Sequence, residues 1–245
     1  MITRKRAMMR AGTRAAIFAL AVVVASFPMR LALDMGDAAK AGLTARAVSG
    51  SIWSGHMAAA KWGPLDLGNV DLALSPASLL GGTAAMSFRR VDSLAPNGLG
   101  VSGVLFTGAN KGWRDVNGRF DVGMRLGGLT IAYVDMRDAA VRFNSLGQCT
   151  EAAGQVQAAL TAPIGGLTLP QGMSGTLRCM NGQAHIALTS QSGMEVLEAE
   201  LSGKGAWKAR FLVKQVAEPA MVNALSAMGF RPHGDAYLLN ASGQL

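Results

Sequence analysis

The chain has 245 residues, 50% of them hydrophobic and only 6% aromatic, with a formal net charge of +8. This length and apolar content exclude global disorder and suffice for one large all-β domain or two small ones. The charge is concentrated at the start, because the six basic residues up to Leu33 leave 17 basic against 15 acidic residues, a net charge of +2. A net charge this close to zero after residue 33 argues against nucleic acid as a partner.

The first 33 residues have the pattern of a segment that enters a bacterial inner membrane. Residues 1–14 contain five basic and no acidic residues, and residues 15–29 are uncharged and mostly apolar. A basic flank before an apolar run keeps the N-terminus in the cytoplasm and exports the chain beyond the run. We predict a cytoplasmic tail over 1–14, a transmembrane helix over 15–33, in which Arg30 reaches the far interface, and a periplasmic domain over 34–245.

A cleaved signal peptide is the alternative interpretation of the same segment. Small residues stand at Ala25 and Ser26, but Val23-Val24-Ala25, with Pro28 close behind, is not a clean A-x-A cleavage site. Both hypotheses export the remainder of the chain.

Beyond this segment the sequence predicts one or two helical turns over 37–42 and then a change to period two. Apolar and polar residues alternate in four stretches, which is typical of half-buried antiparallel strands. The stretches are 65–74, with a phase slip at Asn69 that a β-bulge would cause, 119–126, 185–189 and 207–214. About ten such strands predict a mainly β fold, either an antiparallel sheet or sandwich or a partial barrel.

One amphipathic helix is predicted near the C-terminus, over 219–228. Pro219 suits the first turn of a helix, and Gly229 suits its end. We expect this helix to cover a sheet face with its apolar side and to be followed by a last strand over 237–240. That apolar side consists of Ala220, Met221, Ala224, Leu225 and Met228.

The two cysteines are Cys149 and Cys179. An even count in an exported chain predicts a disulfide, which would stabilise the fold by about 3.5 kcal/mol for a loop of this length. Two separate buried thiols are the alternative. Because Cys179 shares its parity with Leu177, we expect it on the buried face. With Cys149 in the turn before a strand over 155–161, the bond would join neighbouring strands.

No residue pattern predicts catalysis, a cofactor or a metal site. Gly98–Gly103 matches G-x-G-x-x-G, but strand-like residues follow it where a helix is required, so we interpret it as a turn. In the cluster Glu195, Glu198 and Glu200, the last two share one face of a strand, which we expect to be exposed. A periplasmic enzyme stays open as a hypothesis only if the fold assembles a site. No metal-ligand or catalytic-triad spacing includes any of the histidines, His56, His185 and His233.

Several features of the chain occur together in a known protein family. The motif Val-x-Gly-x-x-Trp-x-Gly follows the apolar segment, Gly154 follows the first cysteine, Gly175 precedes the second, and Gly229-Phe230 follows the predicted helix. Together they resemble protein N of the type II secretion system. The motif residues are Val48, Gly50, Trp53 and Gly55.

The resemblance implies a non-enzymatic component anchored in the inner membrane, which aids export of folded proteins across the outer membrane by protein–protein interaction. Its partners would be other subunits of the inner-membrane platform or components that link it to the secretin. It implies no cofactor and no small-molecule substrate. From the residues themselves we expect Trp53 to be buried in the core, and Trp62 and Trp113 to be better placed for surface contacts.

A second hypothesis comes from a different class. An apolar-lined β-sheet after a single anchor also resembles the AsmA-like envelope proteins, in which an apolar sheet face would form a groove for acyl chains. If the apolar face is covered by the helix over 219–228 and by a second layer of structure, the interaction hypothesis is favoured. If the apolar face forms an open groove, lipid binding is favoured.

Overall fold

The computed structural model describes residues 22–36, 38–40, 42–63, 65–91, 100–126, 128–160 and 172–244. These residues form fifteen strands of one antiparallel sheet and a few short helices. The fold is therefore mainly β, as the period-two stretches predict, with more strands than expected.

The strands are β1 (Leu43–Thr44), β2 (Ala47–Ser51), β3 (Ser54–Trp62), β4 (Leu65–Leu74), β5 (Thr83–Arg90), β6 (Ser102–Gly108), β7 (Lys111–Leu126), β8 (Leu129–Phe143), β9 (Cys149–Leu160), β10 (Met173–Met180), β11 (Gln183–Ser190), β12 (Glu195–Leu201), β13 (Ala206–Lys214), β14 (Arg231–His233) and β15 (Ala236–Gln244). The labelled helices are α1 (Met29–Met35), α2 (Pro76–Leu80) and α3 (Pro219–Ala227).

Most strands pair with the next strand along the chain. The exceptions lie near the two ends of the sheet, where β1 and β2 both pair with β3, and β15 pairs with both β13 and β14. In addition, β4 extends beyond the β5–β6 hairpin and meets β7 where Asp66 lies opposite Asp121. The result is one continuous meander rather than a sandwich of two sheets.

The sheet curls so strongly that distant strands share one core. β15 contacts β7, although six strands lie between them in the order of the sheet. In a flat sheet these strands would lie roughly 30 Å apart, since neighbouring strands are spaced by about 4.8 Å. The curl also brings two turns together, because the Gly203 amide donates to the Gly147 carbonyl at 3.3 Å. Of the predicted architectures, the partial barrel fits this shape.

Helix α3 closes the core of the C-terminal half. Leu225 is fully buried, and Phe230, just after the helix, packs edge-on against Phe211 with ring centroids 5.7 Å apart. The end of the helix is fixed to the β7–β8 connection, where the Gly128 amide donates to the Met228 carbonyl at 3.1 Å. The helix predicted over 219–228 is thus confirmed, and it covers the apolar face as expected.

Helix α1 covers the first strands, and here the sequence prediction is wrong in part. Residues 22–25 are helical, but Pro28 pairs with Ser51 of β2 and Met29 is completely buried against the sheet. The predicted helix over 15–33 is therefore interrupted, because a proline disfavours the helical conformation of the residue before it. Residues 1–21, which include the predicted tail, lie outside the described residues.

No helix among the described residues combines the length and the apolar character that a membrane crossing requires. The short helix predicted over 37–42 is also absent from the described part of that stretch, where residues 38–40 and 42 form turns. The chain there turns back so that Leu43 lies opposite Trp62 at the end of β3.

The phase slip at Asn69 is confirmed as an irregularity of the β3–β4 ladder. The register shifts between Met57 and Ala60 and again between Ala60 and Lys61. The side-chain oxygen of Asn69 accepts a hydrogen bond from the Ala59 amide at 3.0 Å, which satisfies a donor that the bulge removes from the ladder.

Replacing the buried leucine of α3 tests whether the helix stabilises the curled core. We expect Leu225→Ala to lower the free energy of unfolding by about 2–5 kcal/mol, because it removes apolar contacts and leaves a cavity. Ser226→Ala, at an exposed neighbouring position, serves as the control and should change stability by less than about 0.5 kcal/mol. Urea denaturation measures both, and equal stabilities would contradict the role of α3.

Candidate functional site

The turn between β2 and β3 holds the N-terminal segment through backbone and side-chain hydrogen bonds. The Trp53 indole N–H donates to the Val24 carbonyl at 2.8 Å, and the Ile52 amide donates to the Phe27 carbonyl at 3.0 Å. Pro28 bridges to Ser51 directly after these contacts. We call this arrangement, residues 24–29 against residues 50–55, the N-terminal clamp.

The two glycines of the Val-x-Gly-x-x-Trp-x-Gly motif make the clamp possible. Gly50 has φ +84°, and a Cβ atom there would overlap the Ser54 carbonyl oxygen. A Cβ atom on Gly55 would lie 3.0 Å from Cγ of Met29, the fully buried residue of α1. A side chain at either position would therefore displace the turn or the segment that it holds.

The motif tryptophan has a different role from the one expected. Trp53 is half-buried at the turn and uses its polar N–H, so the prediction that it lies in the core is wrong. Val48 of the motif packs at the edge of the core cluster that contains Met29. Trp62 is partly exposed, whereas Trp113 is half-buried and packs against the buried cluster around Val141.

The clamp continues into the neighbouring strand of the sheet. The Leu74 amide, at the end of β4, donates to the Ile52 carbonyl at 2.9 Å. Helix α2 starts two residues later, after Ser75, whose amide donates to Ala85 of β5 at 2.8 Å. Three strands and α2 are thus fixed relative to the N-terminal segment.

Cys149 and Cys179 form a disulfide that joins the neighbouring strands β9 and β10, as predicted. The ladder between these strands ends where Thr176 lies opposite Gln155. Beyond that point the disulfide, with Cα atoms 5.6 Å apart, and a 2.8 Å hydrogen bond from the Cys149 amide to the Gly182 carbonyl hold the strand ends together.

The surroundings of the two cysteines differ from the prediction. Cys149 is the first residue of β9 and is buried, so it lies in the strand and not in a turn before it. Cys179 lies opposite Ala184 on the core side of the sheet, as its parity with Leu177 requires, yet it is exposed. It lies next to the last residue of β10, Met180, which is also exposed.

The outer face of the C-terminal strands carries paired charges. Arg210 of β13 lies opposite Glu198 of β12, with Nη2 and Oε2 2.8 Å apart, and Lys208 lies opposite Glu200. Both glutamates are on one outer face as predicted, although they are half-buried rather than exposed. A shallow depression between these strands is lined by Glu198, Glu200, Lys208, Ala209, Arg210, Asn240, Ala241 and Ser242.

The third glutamate of the cluster points the other way. Glu195 is 2% exposed and shares the inner face with Leu197. Its Oε2 accepts a hydrogen bond from the Ser192 hydroxyl at 2.8 Å, and its amide donates to the Ser190 hydroxyl at 3.3 Å. These contacts satisfy the hydrogen-bonding capacity of a buried carboxyl at the start of β12, so the role of Glu195 is structural.

Several side-chain pairs could not be predicted from the sequence because strand register, not sequence spacing, creates them, and two of these pairs are outside the C-terminal strands. His56 Nδ1 lies 2.9 Å from Asp71 Oδ1 across the β3–β4 pair, and both side chains are exposed. Arg119 lies opposite the buried Asp135, at 3.5 Å, with its guanidinium carbon 4.0 Å from the ring centroid of Tyr133. Knowing the register would have revealed both pairs.

The remaining histidines and the glycine-rich stretch lie apart from these pairs. His185 lies on the outer face opposite Glu200, and His233 is exposed in β14. Residues 92–99 lie outside the described residues, and β6 begins at Ser102, so a strand and not a helix comes after the glycine-rich stretch. In the part of the chain that the structure describes, no three His, Cys, Asp or Glu residues are grouped to hold a metal ion.

The outer edge of the last long strand is only partly paired. β14 covers Ala236 to Leu238 of β15, and within the described residues no strand pairs with that edge over 239–244. Asn240, Ser242 and the residues after it are exposed. Residues 239–244 contain no charged residue and no proline, the usual devices that protect a sheet edge from pairing.

A curled antiparallel sheet, clamped at its first hairpin to an apolar N-terminal segment, defines a β-sheet scaffold protein. The family model of type II secretion system protein N matches residues 41–240, and the chain therefore belongs to that family. No curated protein and no solved structure matches the chain. Membership makes the protein a component of the type II secretion system and indicates an association with the cell envelope.

A substitution of the first motif glycine tests the clamp. We expect Gly50→Ala to destabilise the fold by about 1–3 kcal/mol, because alanine is strained at this φ and its methyl group overlaps a carbonyl. Faster hydrogen exchange of the Ile52 amide, followed by NMR, would show the clamp opening. Gly82→Ala is the matched control, since Gly82 has φ +70° with open space around it. If both variants protect Ile52 equally, the clamp does not depend on this glycine.

Removal of the disulfide tests its contribution to stability. We expect reductant to shift the mobility of the denatured protein on a gel, and Cys149→Ser to abolish that shift. Thermal or urea unfolding of the variant should show a loss of about 3.5 kcal/mol, the chain-entropy value for this loop. Unchanged wild-type mobility on reduction would mean that the thiols are free.

Proposed function

We propose that the protein is a component of the type II secretion system with a single-pass inner-membrane anchor and a periplasmic sheet domain. It aids the export of folded proteins across the outer membrane by binding other subunits of the system. The family match over 41–240 carries this proposal. In it, the N-terminus is cytoplasmic, and the apolar segment ahead of the clamp is the anchor.

The clamp supports the anchored arrangement. Val24 and Phe27, at the end of the apolar segment, are hydrogen-bonded directly to Trp53 and Ile52 of the first hairpin. A rigid junction of this kind holds a domain at a fixed position relative to its anchor. The disulfide fits the same proposal, since such bonds persist in an oxidising compartment such as the periplasm.

The free edge of β15 supports binding to another protein. Exposed N–H and C=O groups of an edge strand accept a strand from a partner, and side chains beside the edge select it. Here the neighbouring outer face carries Glu198, Arg210 and Lys208, which would contribute charge complementarity. We propose that a strand from another secretion subunit adds at residues 239–244.

The arrangement of the apolar faces favours this role over lipid handling. The core of the C-terminal half is covered by α3 through Leu225, and the core of the first strands is covered by α1 through Met29. Both residues are fully buried. An acyl-chain groove would require these covered faces to open.

Complementation of a deletion strain tests the proposal. The deletion should leave type II substrates in the periplasm, and the wild-type gene should return them to the medium. Ser242→Lys places a charge on the β15 edge and should reduce secretion several-fold. Thr189→Lys, at an exposed position of the interior strand β11, is the matched control and should secrete normally.

The two parts of the proposal fail in different ways. Normal secretion by the deletion strain would contradict a role in secretion. If the deletion blocks export but the Ser242→Lys variant restores secretion to the wild-type level, that result would contradict only the proposal that partners bind at the β15 edge.

A further inference from the structure

The N-terminal clamp lies at one end of the sheet, and every second turn between strands lies at the same end. Because neighbouring strands are antiparallel, every second connection falls at the same end. We call this side the clamp end. Its connections, which the structure describes completely, are residues 52–53, 75–82, 109–110, 144–148, 181–182 and 202–205.

The clamp end exposes large apolar side chains at its tips. Leu80 of α2 is 92% exposed, and Leu146 in the β8–β9 turn is 76% exposed. Leu79, next to Leu80, and Met180, at the end of β10, are also exposed. Turn tips are normally polar, and a leucine that is almost wholly in water has no role in the core of its own domain.

Charge also distinguishes the two ends. The six connections of the clamp end contain one charged residue, Lys204, and no aspartate or glutamate. At the opposite end, the described connections around α3 and before β15 contain Glu218 and Asp235. The turns of the clamp end therefore carry one lysine and no carboxylate.

Contacts between turns bring the exposed apolar side chains and Lys204 of the clamp end close to one another. Gly203 bonds to Gly147, so Lys204 lies next to the turn that carries Leu146, and the Cys149 amide bonds to Gly182 beside Met180. On the other side of the sheet, the clamp itself ties α2 to the N-terminal segment through Leu74 and Ile52.

We infer that the clamp end of the sheet rests on the surface of an anionic phospholipid bilayer, the one that the N-terminal segment enters. This inference depends on the anchor in the proposed function. The helical residues 22–25 end beside Trp53, so the chain leaves the apolar segment at the level of these turns. Leu79, Leu80 and Leu146 then enter the headgroup region, while Lys204 meets lipid phosphates.

Photo-crosslinking of the full-length protein tests this docking. The chain is reconstituted in vesicles of phosphatidylethanolamine and phosphatidylglycerol, with benzoylphenylalanine in place of Leu80, Leu146 or Met194. Met194 is the matched control, because it is exposed but lies in the β11–β12 turn at the opposite end. Intact-protein mass spectrometry after irradiation should show lipid adducts at positions 80 and 146 and none at 194.

Extraction of the same vesicles with sodium carbonate separates the possible failures. Protein that stays in the membrane but forms no lipid adduct at 80 and 146, or crosslinks there to another protein chain, overturns the docking and leaves the anchor in place. Release by carbonate overturns the anchor and the docking together. The yield at 146 should fall in phosphatidylcholine vesicles, and an unchanged yield would overturn the role of Lys204.

Discussion

A single continuous ladder of backbone hydrogen bonds constrains the whole structure. Since no second sheet stacks on it among the described residues, the apolar face can be buried only if the sheet curls on itself and short helices cover the openings. The contact between β15 and β7 shows the curl, and α1 and α3 cover the openings. Met29 of α1 and Leu225 of α3 are accordingly fully buried, although neither belongs to the sheet.

The clamp shows how a sparse motif can specify a junction. Hydrogen bonds to the Val24 and Phe27 carbonyls require the first hairpin to approach the segment closely. Glycine at position 55 leaves room for Met29, and glycine at position 50 leaves room for the Ser54 carbonyl within the tight turn. The tryptophan contributes a donor rather than a core side chain. A short motif is thus enough to fix the geometry of attachment without constraining the other residues of the sheet.

Local patterns predicted the strands, the bulge at Asn69, helix α3 and the disulfide, because period, turn residues and cysteine count report on nearest neighbours. These patterns failed where contacts between residues far apart in the sequence determine the structure. Met29 has the sequence context of a membrane span, yet tertiary packing buries it beside Gly55. The His56–Asp71 and Glu198–Arg210 pairs require the strand register, and the exposure of Cys179 depends on where the curled sheet ends.

The near-sequential strand order has a consequence for how the chain acquires its structure. Almost every strand finds its partner in the segment made just before it, so loop-closure entropy stays low at each step. A chain that emerges N-terminus first can form the clamped hairpin of β2 and β3 and then pair further strands with it one at a time. The order of the strands in the sheet thus matches the order in which they leave the ribosome, and α3 with the last strands completes the core.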